Sequence, residues 1–594
     1  MTKKDFGRID EVRRTQGPIG NHVIDEFVAG RLSRRSFIRR AGIAGISVPA
    51  IGALLAACGS DENTTTSTTG DTTAGTTAGT TAATTADTTP AAAGGTLICA
   101  GGAPSSASAT LDPVLVNDGA GLTLLSQVGQ YLTISNADLT LSPSLATKWA
   151  PNADGSEWTF TLDPKATFSD GSPVTAADVV ATIERLVNPD NKSNSLSAWG
   201  TGKLSPGGAT AKDDATVVFK LDAPMGNFPY IVSSDNYNAI ILPASVKDTT
   251  KFAADVIDGK TVASGPWTIK SFDATSGIVY VPNPNYWGGK LLLEGLEYKF
   301  FSDTGAQIAA FQSGDVDVLV KFEVSGGESL LDNPDVTVYE IPSANHRQIH
   351  MRCSEGPFAK KEIRQAMAMA IDRQAMIDGL FQGKAAIAND TPFFDMFPSS
   401  GNRTESAFDI EKAKQMVADN GGGFDVTLYG ITYFEGPDLA VLVQNAGKEI
   451  GINVDIQLKD DYYDNNWVRT YDPSVPGSDM GITDYGHRGV PDVYLNAPLR
   501  SFDEYVKSGG TSPGVWNAAE YSSTEYDAAV ETYAASTDLQ SQQAAAEKIQ
   551  AILQDDVPML IPYNINYLAA TTTAVKGVVP TAMGHLFTDK ASKA

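Results

Sequence analysis

The sequence predicts a mixed α/β body beginning near Thr96, and three features predict it. The segments Thr96-Leu97-Ile98-Cys99-Ala100 and Trp158-Thr159-Phe160-Thr161-Leu162 read as strands, the second alternating as a half-buried strand does. Between strand and helix stands a turn cluster, Ser169-Asp170-Gly171-Ser172-Pro173. Thr175 then reads as an N-cap with Asp178 at the third helical position, opening a helix that runs through Leu186. The composition is that of a globular chain, with 42% hydrophobic residues, 20 Tyr, 23 Phe and 7 Trp. At 594 residues the chain is long enough for several domains.

The segments preceding that body have their own order. Residues 1–57 hold ten Lys/Arg against five acids. The whole chain carries −26, so everything after them carries −31. An acidic body of this kind repels phosphate backbones and anionic headgroups, which excludes nucleic-acid binding and a basic grip on membranes. Arg34 and Arg35 lie in Ser33-Arg34-Arg35-Ser36-Phe37-Ile38, followed by the uncharged run Ala41–Ala57 and then Cys58. Charged region, short apolar region and small residues before a processing point is the layout of an export signal. The run holds 17 residues and is broken by Pro49, marginal for a membrane-spanning helix. Its paired arginines resemble the twin-arginine export motif. Leu55-Ala56-Ala57-Cys58 resembles the lipobox of bacterial lipoproteins, in which the cysteine receives the lipid that anchors the protein to a membrane. Residues 1–58 are therefore expected to be a twin-arginine lipoprotein signal peptide. Gly59–Gly95 contains 15 Thr and neither an aromatic residue nor a Lys or Arg, and is expected to be a disordered tether.

The body resembles a known family. Leu141-Ser142-Pro143-Ser144-Leu145-Ala146 leads through Trp149, Asp154-Gly155 and Trp158-Thr159-Phe160 to Phe168-Ser169-Asp170-Gly171-Ser172-Pro173-Val174-Thr175. Ser264-Gly265-Pro266-Trp267, Asn283-Pro284-Asn285-Tyr286-Trp287 and Phe311-Gln312-Ser313-Gly314-Asp315-Val316-Asp317 follow in order. Ile363-Arg364-Gln365-Ala366-Met367-Ala368-Met369-Ala370-Ile371-Asp372-Arg373 comes later. This succession resembles the family 5 solute-binding proteins of ABC importers, the oligopeptide-, dipeptide- and nickel-binding class. The resemblance implies a two-lobed α/β fold of the periplasmic-binding-protein type, class II with an extra subdomain, closing on ligand about a hinge. Lobe 1 would comprise 96–345 plus 564–594, with an inserted subdomain near 133–205, and lobe 2 would comprise 346–563. The crossovers would fall near Ser343–His350 and Ile561–Asn566. A small solute, peptide-like in the leading reading, would be captured between the lobes and delivered to permease and ATPase subunits. The receptor would be a monomer on the extracytoplasmic side of the membrane, on the periplasmic side or at the cell surface.

No His-Glu-x-x-His, Gly-x-Ser-x-Gly, Cys-x-x-Cys or phosphate-binding glycine loop is present, so no catalytic residue, metal or cofactor is expected. His346 and His350 on one strand face would stand about 13 Å apart at about 3.3 Å per residue, too far for one ion. Cys99 and Cys353 fall in different lobes by the resemblance and are expected to be separate thiols. The candidate ligand-binding residues cluster in Thr483-Asp484-Tyr485-Gly486-His487-Arg488-Gly489. In peptide-binding relatives an Asp at the position of Asp484 pairs with the ligand's α-ammonium, and Tyr485 follows it. Asp484 could instead cap its loop. The stretch Gly486–Val490 is longer than the relatives' link and adds His487 and Arg488. The guanidinium of Arg488 could clamp a ligand carboxylate, or the loop could simply be solvated. Trp467 and Tyr433 are candidate cleft walls, though either could pack within lobe 2. The rival readings are an exported hydrolytic or cofactor-dependent enzyme, and a receptor for a non-peptide solute such as a sugar or a metal chelate.

Overall fold

A computed structural model describes residues 94–196, 204–469, 477–508 and 513–594. The expected signal peptide with Arg34, Arg35 and Cys58 lies outside the described residues, as does the tether up to residue 93.

The body is organised around one sheet of 12 strands. At its first-lobe end, Thr96–Gly102 runs parallel to Gly295–Phe301 and to Val318–Phe322. Gly277–Pro282 and Trp267–Asp273 extend this half outward as antiparallel neighbours. At the second-lobe end, Asp425–Gly430 lies parallel between Asn453–Leu458 and Met480–Tyr485. Two long strands join the halves. Val336–Met351 pairs antiparallel with Tyr563–Thr572 and, at its far end, with Met480–Tyr485. The register of the long pair breaks between Ile341 and Asn345, where the crossover near Ser343 was expected. A break in the ladder there leaves both chains less constrained at the passage between lobes.

Each half buries its own core. The first gathers Leu97, Cys99, Leu296 and Tyr298 of the sheet with helix Gly119–Val128 and the C-terminal residues Val575–Ala591. The second gathers Ile349, Met351, Ile363, Met367, Leu428, Leu439, Val454 and Ile482. Cys99 is buried in the first core and Cys353 stands beside second-lobe residues, so both are free thiols in separate surroundings. Ile363, Met367 and Ala370 recur at helical spacing on Lys361–Ala370, and the buried face they form packs inward.

The first-lobe insertion is a four-stranded antiparallel sheet in the order Ala146–Pro151, Glu157–Leu162, Thr216–Lys220, Ala209–Asp213. It runs past residue 205 because its second inner strand, Thr216–Lys220, lies beyond that point. The helix after the Asp170 turn is Ala176–Val187, and Asp178 Oδ2 accepts the backbone N–H of Thr175 at 2.7 Å, the reciprocal half of a capping box.

Polar contacts also join the first-lobe turn at Asn227 to the second lobe. Asn227 Nδ2 donates to Asp492 Oδ2 at 2.7 Å, Gln542 Nε2 donates to Asn227 Oδ1 at 2.9 Å, and Gly226 N donates to Ala534 O at 2.9 Å. Gly226 is confined to glycine by this approach, since a Cβ there would stand 1.8 Å from Ser536 O.

The strand leaving the second lobe is positioned by a buried ion pair. Asp390 is paired with Arg373, accepts Ser406 Oγ at 2.6 Å and accepts the backbone N–H of Ile561 at 3.0 Å. Both charged residues are almost fully enclosed. Replacing Arg373 by Met should leave the Asp390 charge uncompensated and lower stability by roughly 3–5 kcal/mol in urea unfolding. A loss within experimental error would show that the pair does not hold this crossover.

Candidate functional site

Between the lobes lies a cavity of about 520 Å³. The first lobe contributes Thr123, Lys321, Glu323 and Met583 to its wall, and the second contributes Phe434, Asp484, Gly486 and His487. Its position follows from the sheet, because the strands bearing Lys321 and Asp484 end on opposite sides of the two crossover strands. Clefts of this kind, largely pre-formed and lined by a few convergent polar groups, are the usual setting for small-molecule recognition.

Asp484 is the central group. It lies on Met480–Tyr485 directly opposite Arg347 of the long strand. Tyr433 OH donates to its Oδ1 at 2.9 Å, and Tyr463 OH donates to the same oxygen. Tyr463 stands on the short helix Tyr462–Asn465. Among the described residues Oδ2 accepts no hydrogen bond and the carboxylate has no ion-pair partner. Two phenols thus orient one oxygen of a carboxylate that lines the cavity. Burial, and then the charge of Asp484, push the Tyr433 hydroxyl up to about 12, so it stays a donor.

The turn after Asp425–Gly430 supplies three neighbouring side chains with different work. Tyr433 holds Asp484, Phe434 enters the cavity, and Glu435 pairs with Arg347 at 2.9 Å while accepting Tyr563 OH at 3.3 Å. Burial opposes the Arg347 charge, but Glu435 prevails and holds its pKa above the ordinary value. Phe434 has φ of +52°, a left-handed conformation that an aromatic residue rarely adopts, and is 57% exposed. Strain of this kind persists where the surroundings over-determine it, commonly at functional sites.

The loop after Asp484 turns its side chains in different directions. His487 lines the cavity, and its Nδ1 accepts the backbone N–H of Ala344 at 3.0 Å. The ring proton therefore sits on Nε2, and burial brings the pKa down to about 3, keeping the imidazole neutral. Arg488 does not reach the cavity wall. Its Nη1 donates to the carbonyl of His487 at 2.8 Å, and its charge acts on the first-lobe residue Asp235. Gly489 packs so closely on that residue that a Cβ would stand 1.7 Å from Asp235 Oδ2.

The remaining expected residues lie behind this surface. Tyr485 points to the opposite face of its strand, stacked on His346 with centroids 5.3 Å apart, and is buried. Trp467 meets the edge of Tyr463 at 4.9 Å, supporting the phenol that holds Asp484. His346 and His350 are also buried, with Ala344 O and Ser478 Oγ as their respective partners. The structure thus brings Asp484 and His487 to the cleft, holds Tyr433 against Asp484, and sets Tyr485, Trp467 and Arg488 around it. Sequence reasoning missed Lys321, Glu323 and the Met583 turn. Lys321 is the single charged residue in the apolar run Val318–Phe322 and its one exposed position, a signal that was available.

Residues 140–489 match the model of bacterial extracellular solute-binding proteins, family 5. The chain belongs to that family. A probable D,D-dipeptide-binding periplasmic protein of Escherichia coli K12 is 26% identical over 488 residues, covering 79% of this chain and 89% of the relative. A heme-binding protein of Haemophilus influenzae is 23% identical over 501 residues, covering 80% and 88%. Among solved structures, the ABC transporter substrate-binding protein CtaP of Listeria monocytogenes superposes with a TM-score of 0.70 at 22% identity, covering 84% of this chain and 99% of that one. The two-lobed binding-protein fold is therefore shared across the family.

Asp235 yields a pH prediction. Burial pushes its carboxyl up to about 7 from 3.8, with Ser135 and Arg488 pulling the other way. Its Oδ2 is enclosed without a hydrogen-bond partner. The folded state therefore holds the proton more tightly than the unfolded chain. The resulting contribution to stability is fully present below about pH 4 and is lost progressively up to about pH 7. Asp235→Asn should flatten that slope, stabilising the protein more at pH 8 than at pH 4 in parallel thermal melts. An unchanged slope would place the carboxyl in solvent.

Proposed function

We propose that this chain is the peptide-binding receptor of an ABC importer, holding the solute's ammonium at Asp484. The observation that carries this reading is the asymmetric carboxylate. One oxygen is fixed by Tyr433 and Tyr463, the other accepts no hydrogen bond among the described residues, and Asp484 lines the cavity without an ion-pair partner among them. An ammonium placed there makes a charge-assisted hydrogen bond with a partner already oriented and partly desolvated, which is stronger than a neutral contact. His487, neutral through the physiological range, adds an N–H donor suited to a carbonyl. Phe434 offers apolar area beside these polar groups. The printed name of the Escherichia coli relative, a D,D-dipeptide-binding protein, supports a peptide-like solute.

The receptor makes and breaks no bond. Solute bridging the lobes favours the closed form, because contacts to both walls form only there. Closure presents a surface that permease and ATPase subunits read. Cys58 carries the lipid, residues 59–95 form the tether, and Arg34-Arg35 direct export of the folded monomer, so the body works just outside the membrane.

Asp484→Asn keeps the shape of the side chain and removes its charge. Binding of free tripeptides should weaken by about 30-fold to 1,000-fold by calorimetry, as for loss of one partner from a desolvated charge pair. Binding of N-acetylated tripeptides should be weak and equal in both proteins. Equal affinity of the variant and the parent for free tripeptides would remove Asp484 from the site.

Cys58→Ser should move the protein from the membrane fraction to the soluble one with its binding curve intact. Continued membrane association would point to the apolar run as the anchor.

A further inference from the structure

The lobes also meet beside the cleft, at a second and much smaller chamber of about 10 Å³. Ser135, Asp235, Thr581 and His585 of the first lobe wall it together with His487 of the second. His487 and Met583 line the solute cavity as well, so the two spaces share a partition. Several polar atoms here go unmatched. Asp235 Oδ2, Ser135 Oγ and His585 Nδ1 are buried without a hydrogen-bond partner among the described residues. So is the hydroxyl of Tyr131, whose ring meets that of His585 with centroids 5.7 Å apart. His585 Nε2 donates to Ser234 O at 2.7 Å, which leaves Nδ1 a bare acceptor. A carboxylate and an imidazole nitrogen enclosed together are two acceptors without a donor, a costly arrangement away from water. One proton on Asp235 turns an acceptor into a donor and removes a buried charge.

The second lobe supplies the enclosure. A Cβ on Gly489 would fall 1.7 Å from Asp235 Oδ2, so this loop closes directly on the carboxyl. Arg488 acts on Asp235 by its charge, but its Nη1 is bonded to the His487 carbonyl at 2.8 Å. Tyr131, Tyr230 and Tyr494 surround the same group. Burial foremost, with the charge of Asp235 in addition, pushes each of their hydroxyls up, and all three stay neutral. Burial likewise keeps His487 and His585 neutral, bringing them down to about 3 and about 4. Asp235 thus has no ion-pair partner among the described residues, and enclosing it ionised would strand its charge.

We propose that Asp235 is a proton latch between the lobes: closure over solute encloses its carboxyl in the protonated form, and opening returns it to water, where it ionises. Each closure then takes one proton from solvent, and each opening gives it back. The direction follows from burial, which pushes the enclosed carboxyl up to about 7 from the 3.8 it regains in water. Between those limits the affinity for a solute that closes the lobes rises as the pH falls. The histidines carry the opposite sign, since opening that exposed them would let them gain a proton below about pH 6.5. The contribution of Asp235 is therefore read against a variant lacking only its carboxyl. The latch depends on closure and not on which solute is captured.

Trialanine is the probe, titrated calorimetrically into the parent and Asp235→Asn at pH 5.5 in two buffers of different ionisation enthalpy. The parent should take up about one proton more than the variant for each trialanine bound, and from pH 7 to pH 5 its affinity should rise about tenfold or more relative to the variant's. Equal proton uptake by the two proteins would overturn the latch. Gly489→Ala should weaken trialanine binding by crowding Asp235, and Asp235→Ser added to it should restore the affinity. A double variant as weak as Gly489→Ala would show that closure does not press the loop on this residue, which also overturns the proposal. Should Asp235→Asn fail to fold, Asp235→Ser carries the proton comparison. If trialanine binds neither parent nor variant, the peptide reading is what fails, and X-ray scattering of the solute-free protein decides the latch. Acid should then compact the parent and leave the variant unchanged, whereas identical responses would overturn it.

Discussion

The structure depends on one antiparallel pair, Val336–Met351 against Tyr563–Thr572. These strands are the central members of a sheet whose two ends belong to different lobes. Their backbone hydrogen bonds join two separately buried cores, and the register break beyond Ile341 leaves the pair weakest where the chain passes between lobes. A hinge made this way keeps the lobes in fixed lateral register while allowing them to rotate. Tying the return strand to Asp390 adds a polar lock on one side of the passage.

The same strand explains the electrostatics of the cleft. Arg347 follows the register break, is buried, and must be neutralised, which Glu435 does. Because Glu435 takes that role, Asp484 opposite Arg347 is left without an ion-pair partner among the described residues and is held by phenols instead. A carboxylate oriented by neutral donors keeps its charge available, whereas one already bound to an arginine would offer a ligand little. Neutralising Arg347 elsewhere is therefore what leaves the Asp484 charge without an ion-pair partner among the described residues. The strained backbone at Phe434 fits the same arrangement, since the turn must place Tyr433 and Glu435 on different partners within three residues.

Much of the fold was legible in the chain because its signals are local. The Thr175–Asp178 capping box and the alternation in Trp158–Leu162 both appear where they were expected. The inserted sheet was placed too short, because Thr216–Lys220 pairs with a strand more than fifty residues earlier and local pattern carries no trace of that partner. At the site, Asp484 was legible as a residue but its environment was not. Tyr463 and Tyr433 reach it from a short helix and a turn that are distant in sequence. Tyr485 and Arg488 illustrate the converse. Adjacency to Asp484 suggested a shared role, but successive side chains on a strand face opposite sides, and Tyr485 falls on the core side.

The sequence by itself determined the order of the parts: a basic N-terminal stretch, a threonine-rich stretch, an acidic α/β body and the blocks that mark its family. These are properties of composition and of residues near one another, so no partner in space is needed to read them. Only the tertiary structure decided which charges are taken and which are free. Arg347 is satisfied by Glu435, Arg488 is turned toward Asp235, and Lys321 and Asp484 face one cavity from different lobes. The reason is physical. The availability of a charge depends on its burial and on the cost of parting it from its neighbour, and both are set by contacts between residues far apart along the chain.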